Sequence, residues 1–184
     1  VYHHKNTSAP ETEIIYLHAA TATADSNVEW NDTAPTSSVF TVGTDVGVNE
    51  NTKAMIAYLF TEKQGFSKFG VYTGNNNANG NFIYTGFRPA FVLSKDSASG
   101  QQWHMIDNKR DPFNDSDNAH LAPAEAWNEA TTKSERGTMQ TDFLSNGFKL
   151  NTDSSNTSGT GTHIYMAFAE APFVNSKGVP CNAR

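Results

Sequence analysis

The chain has 184 residues, a formal net charge of −6 at pH 7 and 17% charged residues. Its lysines and arginines are scattered and form no basic stripe that would neutralise phosphates, and no apolar run approaches the length of about 18 residues that a membrane-spanning helix needs. The sequence therefore argues against nucleic-acid binding and membrane insertion, while an aromatic content of 11% predicts a folded chain.

Short alternating or continuous apolar stretches predict β-strands along the whole chain. The predicted strands are residues 14–18, 38–42, 55–60, 67–73, 82–85, 90–95, 102–107, 139–144, 148–151 and 163–169. Residues 55–60 are apolar enough for a strand that is buried on both faces. Turn-forming clusters lie at the asparagine-rich residues 75–80 and at residues 96–100. The single helix candidate is 122–134, and the pattern as a whole predicts an all-β sandwich or jelly roll.

The sequence also repeats itself in part. Residues 56–62 (IAYLFTE) match residues 164–170 (IYMAFAE) in their apolar positions, their phenylalanine and their final glutamate. The second copy is preceded by a stretch that has no counterpart before the first copy. We therefore expect residues 1–64 to be the C-terminal half of a first β-sandwich repeat, 65–174 to be one complete repeat, and 175–184 to be a C-terminal tail.

Three runs of the chain resemble a known protein module. They are residues 65–80 (GFSKFGVYTGNNNANG), residues 82–95 (FIYTGFRPAFVLSK) followed by the strand at Trp103, and residues 30–40 (WNDTAPTSSVF) in the first half. These runs closely resemble a module of marine bacteriophage tail-fibre and related virion proteins. The resemblance covers nearly the whole chain, and it implies tandem sandwiches with a concanavalin-like or jelly-roll fold.

One acidic loop, residues 107–118 (DNKRDPFNDSDN), contains four closely spaced oxygen ligands: Asp111, Asn114, Asp115 and Asp117. Oxygen ligands at such spacing suit Ca²⁺. The loop lacks the glycine and the distal glutamate of an EF-hand, and Asx-rich turns also form for backbone reasons alone. A capped surface loop is the favoured interpretation, a calcium site is the alternative, and no other cofactor is expected.

The tryptophans are the candidate sugar contacts. Trp103 lies in a predicted strand and is expected in the core, whereas Trp30 and Trp127 follow polar loops at comparable places in the two units. Packing under a loop is the favoured interpretation for both, although an indole ring can also stack on a sugar. Because loops at the end of a sandwich often carry function, Trp127 beside the acidic loop is the first candidate for a glycan contact.

The sequence favours a non-enzymatic protein. Its six histidines show no HExxH spacing, it has no GxSxG motif, and Cys181 lies in a polar tail without a neighbouring base. A pair of carboxylates that meets only in three dimensions stays open as a glycosidase site. We expect neither a zinc site nor catalysis.

These observations and the resemblance together predict an extracellular virion protein. The expected role is the C-terminal part of a tail fibre or spike that contacts the host surface, through a polysaccharide or another receptor. The alternatives are a purely structural fibre or capsid decoration protein, and a carbohydrate-binding module of a larger surface protein. Because a half sandwich would expose an unpaired sheet edge, a homo-oligomer is expected, with a trimer as one form.

Overall fold

A computed structural model describes residues 1–109, 114, 119–121, 135–136, 140–174 and 180–181. The strands are β1 (Glu13–Ile14), β2 (Ala24–Asp25), β3 (Ser67–Thr73), β4 (Phe82–Tyr84), β5 (Pro89–Asp96), β6 (Trp103–Asp107), β7 (Ala119–Leu121), β8 (Glu135–Arg136), β9 (Thr141–Leu144), β10 (Gly147–Leu150), β11 (Thr162–Ala169), β12 (Phe173–Val174) and β13 (Pro180–Cys181). A 3-10 turn (Pro10–Thr12) and one short helix, α1 (Val46–Asn49), lie among them. The predicted all-β class is therefore confirmed. No helix in these described ranges has the length and apolar character needed to cross a membrane.

Two antiparallel sheets form the sandwich. The larger sheet has the strand order β3-β11-β5-β6-β7-β8, and the smaller one has the order β4-β10-β9. One hydrophobic core lies between them, because alternate side chains of each strand point toward the facing sheet. The larger sheet contributes Tyr72, Val92, Ile106, Tyr165 and Ala167, and the smaller sheet contributes Ile83, Phe143, Phe148 and Leu150.

The strands predicted after residue 65 are confirmed. Strand β3 has the predicted bounds, and the others begin and end within two residues of the predicted positions. The asparagine-rich turn joins β3 to β4 and includes Asn76 with a φ of 48°, a left-handed conformation that asparagine tolerates. The predicted loop at residues 96–100 joins β5 to β6. The predicted helix at 122–134 lies outside the described residues.

Two strand predictions in the first third are wrong, and a third is only partly right. Residues 38–42 and 55–60 form no strand, and of residues 14–18 only Ile14 lies in one. The 55–60 segment is exposed throughout, with Ile56 at 81% and Tyr58 at 80% of their full accessible surface. An apolar run becomes a buried strand only where other strands pair with it, and the described chain brings none to this segment. The division into a half repeat and a complete repeat stays a prediction.

The first third of the chain instead covers the outer face of the larger sheet. Ile15 is buried against Trp103 and Ile164, which point away from the sandwich core. The indole N–H of Trp103 donates a hydrogen bond of 2.9 Å to the carbonyl oxygen of Tyr16. The larger sheet is thus covered on one face by the smaller sheet and on the other by the N-terminal segment.

This packing predicts that residues around Ile15 unfold together with the sandwich. Ile15→Ala should lower the free energy of unfolding by about 2–5 kcal/mol, the usual cost of truncating a buried aliphatic side chain. Leu17→Ala is the matched control, since Leu17 is 43% exposed and its truncation leaves no cavity. Chemical denaturation followed by tryptophan fluorescence measures both variants. An unchanged midpoint for Ile15→Ala would contradict a single cooperative unit.

Candidate ligand-binding face

Most of the sequence-predicted site lies outside the described residues. That part comprises Asp111, Asp115, Asp117 and Trp127. Asn114 is exposed, and its side-chain oxygen accepts a 3.2 Å hydrogen bond from the backbone N–H of Phe143 at strand β9. The described portion of the chain holds no group of three or more His, Cys, Asp or Glu side chains arranged for a metal ion. The calcium site and the Trp127 contact stay predictions.

The two described tryptophans both have packing roles. Trp103 is only 3% exposed, which confirms its predicted place in a core. Trp30 is half-buried, donates its indole N–H to the carbonyl oxygen of Glu13 at 3.1 Å, and meets the ring of Tyr2 edge-on at 6.0 Å. The favoured interpretation of Trp30, packing under a loop, agrees with these contacts.

Two exposed aromatic rings instead mark the outer face of the smaller sheet. Phe82 and Tyr84 lie on β4 with 46% and 62% of their surface exposed, whereas Ile83 between them is buried in the core. Residues two apart on a strand share a face and are separated by about 7 Å. The two rings therefore stand side by side on one strand, at an edge of the smaller sheet as described.

Gly147 allows the rings to lie against the neighbouring strand. It pairs with Tyr84 in the β4–β10 ladder. A Cβ atom at this position would lie 2.8 Å from the ring of Phe82 and 2.2 Å from the carbonyl oxygen of Ile83. A side chain at this position would push away the Phe82 ring and the β4 strand. Glycine therefore allows the Phe82 ring to pack directly on the backbone of β10.

A polar network lies beside the aromatic rings. The ammonium group of Lys149, which pairs with Phe82 in the ladder, donates to the side-chain oxygens of Asn79 at 2.8 Å and Asn151 at 3.0 Å. The amide of Asn151 donates in turn to Asp142 at 2.9 Å. Because each side chain is held by another, the donors and acceptors occupy fixed positions next to the rings.

The asparagine-rich turn extends this polar surface. The backbone N–H of Asn77 donates to the side chain of Asn75 at 3.2 Å, and that of Asn79 donates to Asn77 at 2.8 Å. These are Asx-turn contacts, which shape the loop without help from the core. Exposed amide groups can both donate to and accept from hydroxyl groups of a ligand.

A cleft opens on the other side of Tyr84. It has a volume of about 220 Å³, and Glu62 and Lys68 form an ion pair in its wall. The remaining lining residues are Gln64, Gly65, Ser67, Tyr84, Thr85 and Gly86. Tyr84 therefore belongs to both the aromatic face and the cleft. We call the whole surface, from the Asn79–Lys149 network across Phe82 and Tyr84 to this cleft, the β4 face.

The β4 face has the chemistry of a sugar-binding surface. Aromatic rings stack on the apolar faces of pyranose rings, while fixed amides, an ammonium group and carboxylates satisfy the hydroxyl groups at the edges. The sequence signal was partial: the order Phe–Ile–Tyr in a strand places both rings on the same face, but all three residues are apolar and the order does not show which face is buried. The sequence interpretation considered tryptophans alone and did not select these two rings.

A second cluster of titratable groups lies inside the sandwich. His163 stacks on the ring of Tyr72 at 4.8 Å and approaches the carbonyl oxygen of Gly159 with its Nε2 at 3.0 Å. His104 is 1% exposed, and its Nε2 has no hydrogen-bond partner among the described residues. Burial, with a smaller contribution from His163, lowers the pKa of His104 to about 3. Both imidazoles are enclosed by the described residues, so their charge state affects the stability of the fold.

The same burial lowers the pKa of two further histidines. Burial lowers the pKa of His163, and this effect outweighs the opposing effects of the Gly159 carbonyl contact and of Asp96. The pKa of His3 is lowered to about 4, again chiefly by burial. All three imidazoles are therefore neutral in the folded chain at pH values where they are protonated in an unfolded chain, whose histidines titrate near about 6.5.

The buried histidines predict a loss of stability in mild acid. The unfolded chain binds protons first as the pH falls below about 6.5, so stability present at neutral pH declines until the pH approaches the folded pKa. At pH 5, the low pKa of His104 alone should reduce the free energy of unfolding by about 2 kcal/mol relative to neutral pH. Thermal unfolding of His104→Gln should show a shallower decline between pH 7 and about pH 4 than the parent. His18→Gln, at an exposed histidine, is the control; equal slopes for all three proteins would contradict the prediction.

No curated protein and no solved structure matches the chain. Residues 1–172 match a protein family described as a domain of unknown function, DUF7483. This match includes both the N-terminal segment and the sandwich, in agreement with their packing into one body. The chain belongs to the DUF7483 family.

Proposed function

We propose that this protein is a non-enzymatic virion component, the C-terminal part of a bacteriophage tail fibre or spike, and that it binds a host-surface polysaccharide through the β4 face. The place in an extracellular virion rests on the sequence resemblance to tail-fibre modules, and so does the concanavalin-like connectivity expected of the sandwich. The β4 face supplies the binding chemistry.

The observation that carries the proposal is the pair of exposed rings on a rigid strand. Phe82 and Tyr84 are exposed and therefore contribute little to the core. The strand that carries them is nevertheless fixed in place, because its opposite face is buried. The polar network at Lys149 lies directly beside them. Such pre-ordered groups bind a ligand with little loss of conformational entropy.

A purely structural fibre or decoration protein is the second candidate. Its support is the run of exposed apolar side chains at residues 55–60, which includes Met55, Ile56, Tyr58 and Leu59. Neighbouring exposed apolar side chains often mark a protein–protein interface. The two candidates differ in what the β4 face does, so a binding experiment separates them.

The glycan proposal predicts a specific loss of binding. Purified protein applied to a microarray of bacterial capsule and lipopolysaccharide fragments should retain at least one glycan. Tyr84→Ala and Phe82→Ala should each weaken that interaction at least about fivefold, since a stacked ring contributes roughly 1 kcal/mol or more. Both variants should keep the parent melting temperature, because these rings are exposed.

Phe40→Ala is the matched control. Phe40 is 39% exposed and lies outside the β4 face, so its truncation should leave glycan binding unchanged. Absence of binding by the parent to every glycan, or full binding by Tyr84→Ala, would refute the β4 face as a glycan site and favour the structural alternative.

A further inference from the structure

We infer that the exposed 55–60 segment is a strand donor, which pairs with the free edge of β3 in a second copy of this chain and so forms a two-fold symmetric dimer. This interface adjoins the β4 face at Ser67 and Lys68, which line the cleft, but it does not depend on glycan binding. It assigns a partner to the largest group of apolar side chains that the described chain leaves in solvent.

The donor segment has the side-chain pattern of a central strand. Ile56, Tyr58 and Phe60 alternate with Ala57 and Leu59, in step with the apolar positions of β11 in the matching run. In β11, one set of these positions faces the sandwich core and the other faces the N-terminal cover. A segment with this pattern gains stability only when strands pair with it and both of its faces are covered.

The acceptor is the outer edge of β3. This strand stands at the end of the sheet order, with β11 as its only strand neighbour among the described residues. Lysine and proline commonly protect edge strands against pairing with other chains. In β3 the single charge is Lys68 near the start, and it is neutralised by Glu62. The stretch from Phe69 to Thr73 has neither a charge nor a proline.

None of residues 55–60 pairs with the edge of its own β3. An antiparallel bridge between Lys63 and Ser67, the first residue of β3, closes a tight turn at the start of the strand and occupies only that end of the edge. The ring of Phe60 then lies 5.7 Å from Phe168 on β11 but 6.4 Å from Phe69 on the edge strand. The ring of Phe60 therefore packs on the outer face of the sheet, against Phe168 and Phe69. Among the described residues, no strand pairs with the donor segment or with the outer edge of β3 beyond Ser67, so both are available to another molecule.

The closeness of donor and acceptor in sequence determines the symmetry. Both belong to one stretch of chain on either side of the Lys63–Ser67 turn, so they form one continuous surface. When the donor of one copy reaches the β3 edge of another, the reciprocal contact can form about the same axis. Such a self-complementary surface gives a closed two-fold dimer. Main-chain hydrogen bonds would supply the affinity, as in other strand additions.

The test is the molecular mass of the full chain in reducing buffer, so that Cys181 forms no disulfide. Sedimentation equilibrium over a wide concentration range should give a parent mass approaching twice the 20.1 kDa of one chain. The double variant Ile56→Lys/Leu59→Lys should raise the dimer dissociation constant at least about tenfold, because it removes apolar contacts and adds charge to the donor. Val71→Lys on the acceptor strand should do the same.

The control is Val39→Lys/Val46→Lys, which introduces the same two charges at valines that are 64% and 69% exposed outside the donor segment. It should dimerise like the parent. Unchanged melting temperatures at low protein concentration would show that each variant folds. In the parent, amide exchange in residues 55–60 and in β3 should slow as concentration rises. The inference would be overturned by a monomeric parent, by a mass of three chains, or by a control that dissociates as readily as the donor variant.

Discussion

The whole structure depends on strand β11, which is bonded on both sides and covered on both faces. It pairs with β3 and β5 along nearly its full length. Tyr165 and Ala167 point into the sandwich core, and Ile164 points into the second core beneath the N-terminal segment. A strand in this position has its backbone groups paired on both sides and most of its apolar side chains covered, so it is stable only when the neighbouring elements are in place.

This requirement explains the unusual role of the first third of the chain. It has few strands, yet the outer face of the larger sheet needs a cover, and Ile15 and Tyr16 provide part of it through Trp103. Farther along that face, Phe168 contacts four rings: Phe60, Phe66, Phe69 and Phe91. The cover ends at this aromatic cluster. The apolar residues just before Phe60 are exposed, because no described strand pairs with them.

A buried polar group on the outer face of the larger sheet restricts the conformation as well. Lys95 is fully buried, and its ammonium group donates to the carbonyl oxygens of Asp96, Ser99 and Gln101. It therefore holds the β5–β6 loop closed, while burial lowers its pKa. Satisfied buried groups of this kind favour one conformation over others. The resulting rigidity supports the proposed function, since the rings of the β4 face are held by strands rather than by mobile loops.

The strands of the sandwich were largely predictable because they are local patterns. The aromatic and β-branched residues at 67–73 and 163–169 are a local signal for strands, although burial does not alternate strictly in either one. The same reasoning failed at residues 55–60, where the apolar pattern is as strong but the described chain offers no pairing partner. Sequence periodicity reports what a segment would bury, whereas burial itself depends on distant segments.

The candidate site also combines features that local sequence determines with features that depend on distant parts of the chain. The sequence alone determined the all-β class, the turn chemistry of the asparagine-rich loop, the burial of Trp103 and the absence of a basic surface. Only the tertiary structure decided that Phe82 and Tyr84 face solvent beside Lys149, and that His104 and His163 are enclosed in the interior. The reason is physical: strand pairing brings together side chains that are far apart in the chain, and their contacts, exposure and pKa values arise from those neighbours.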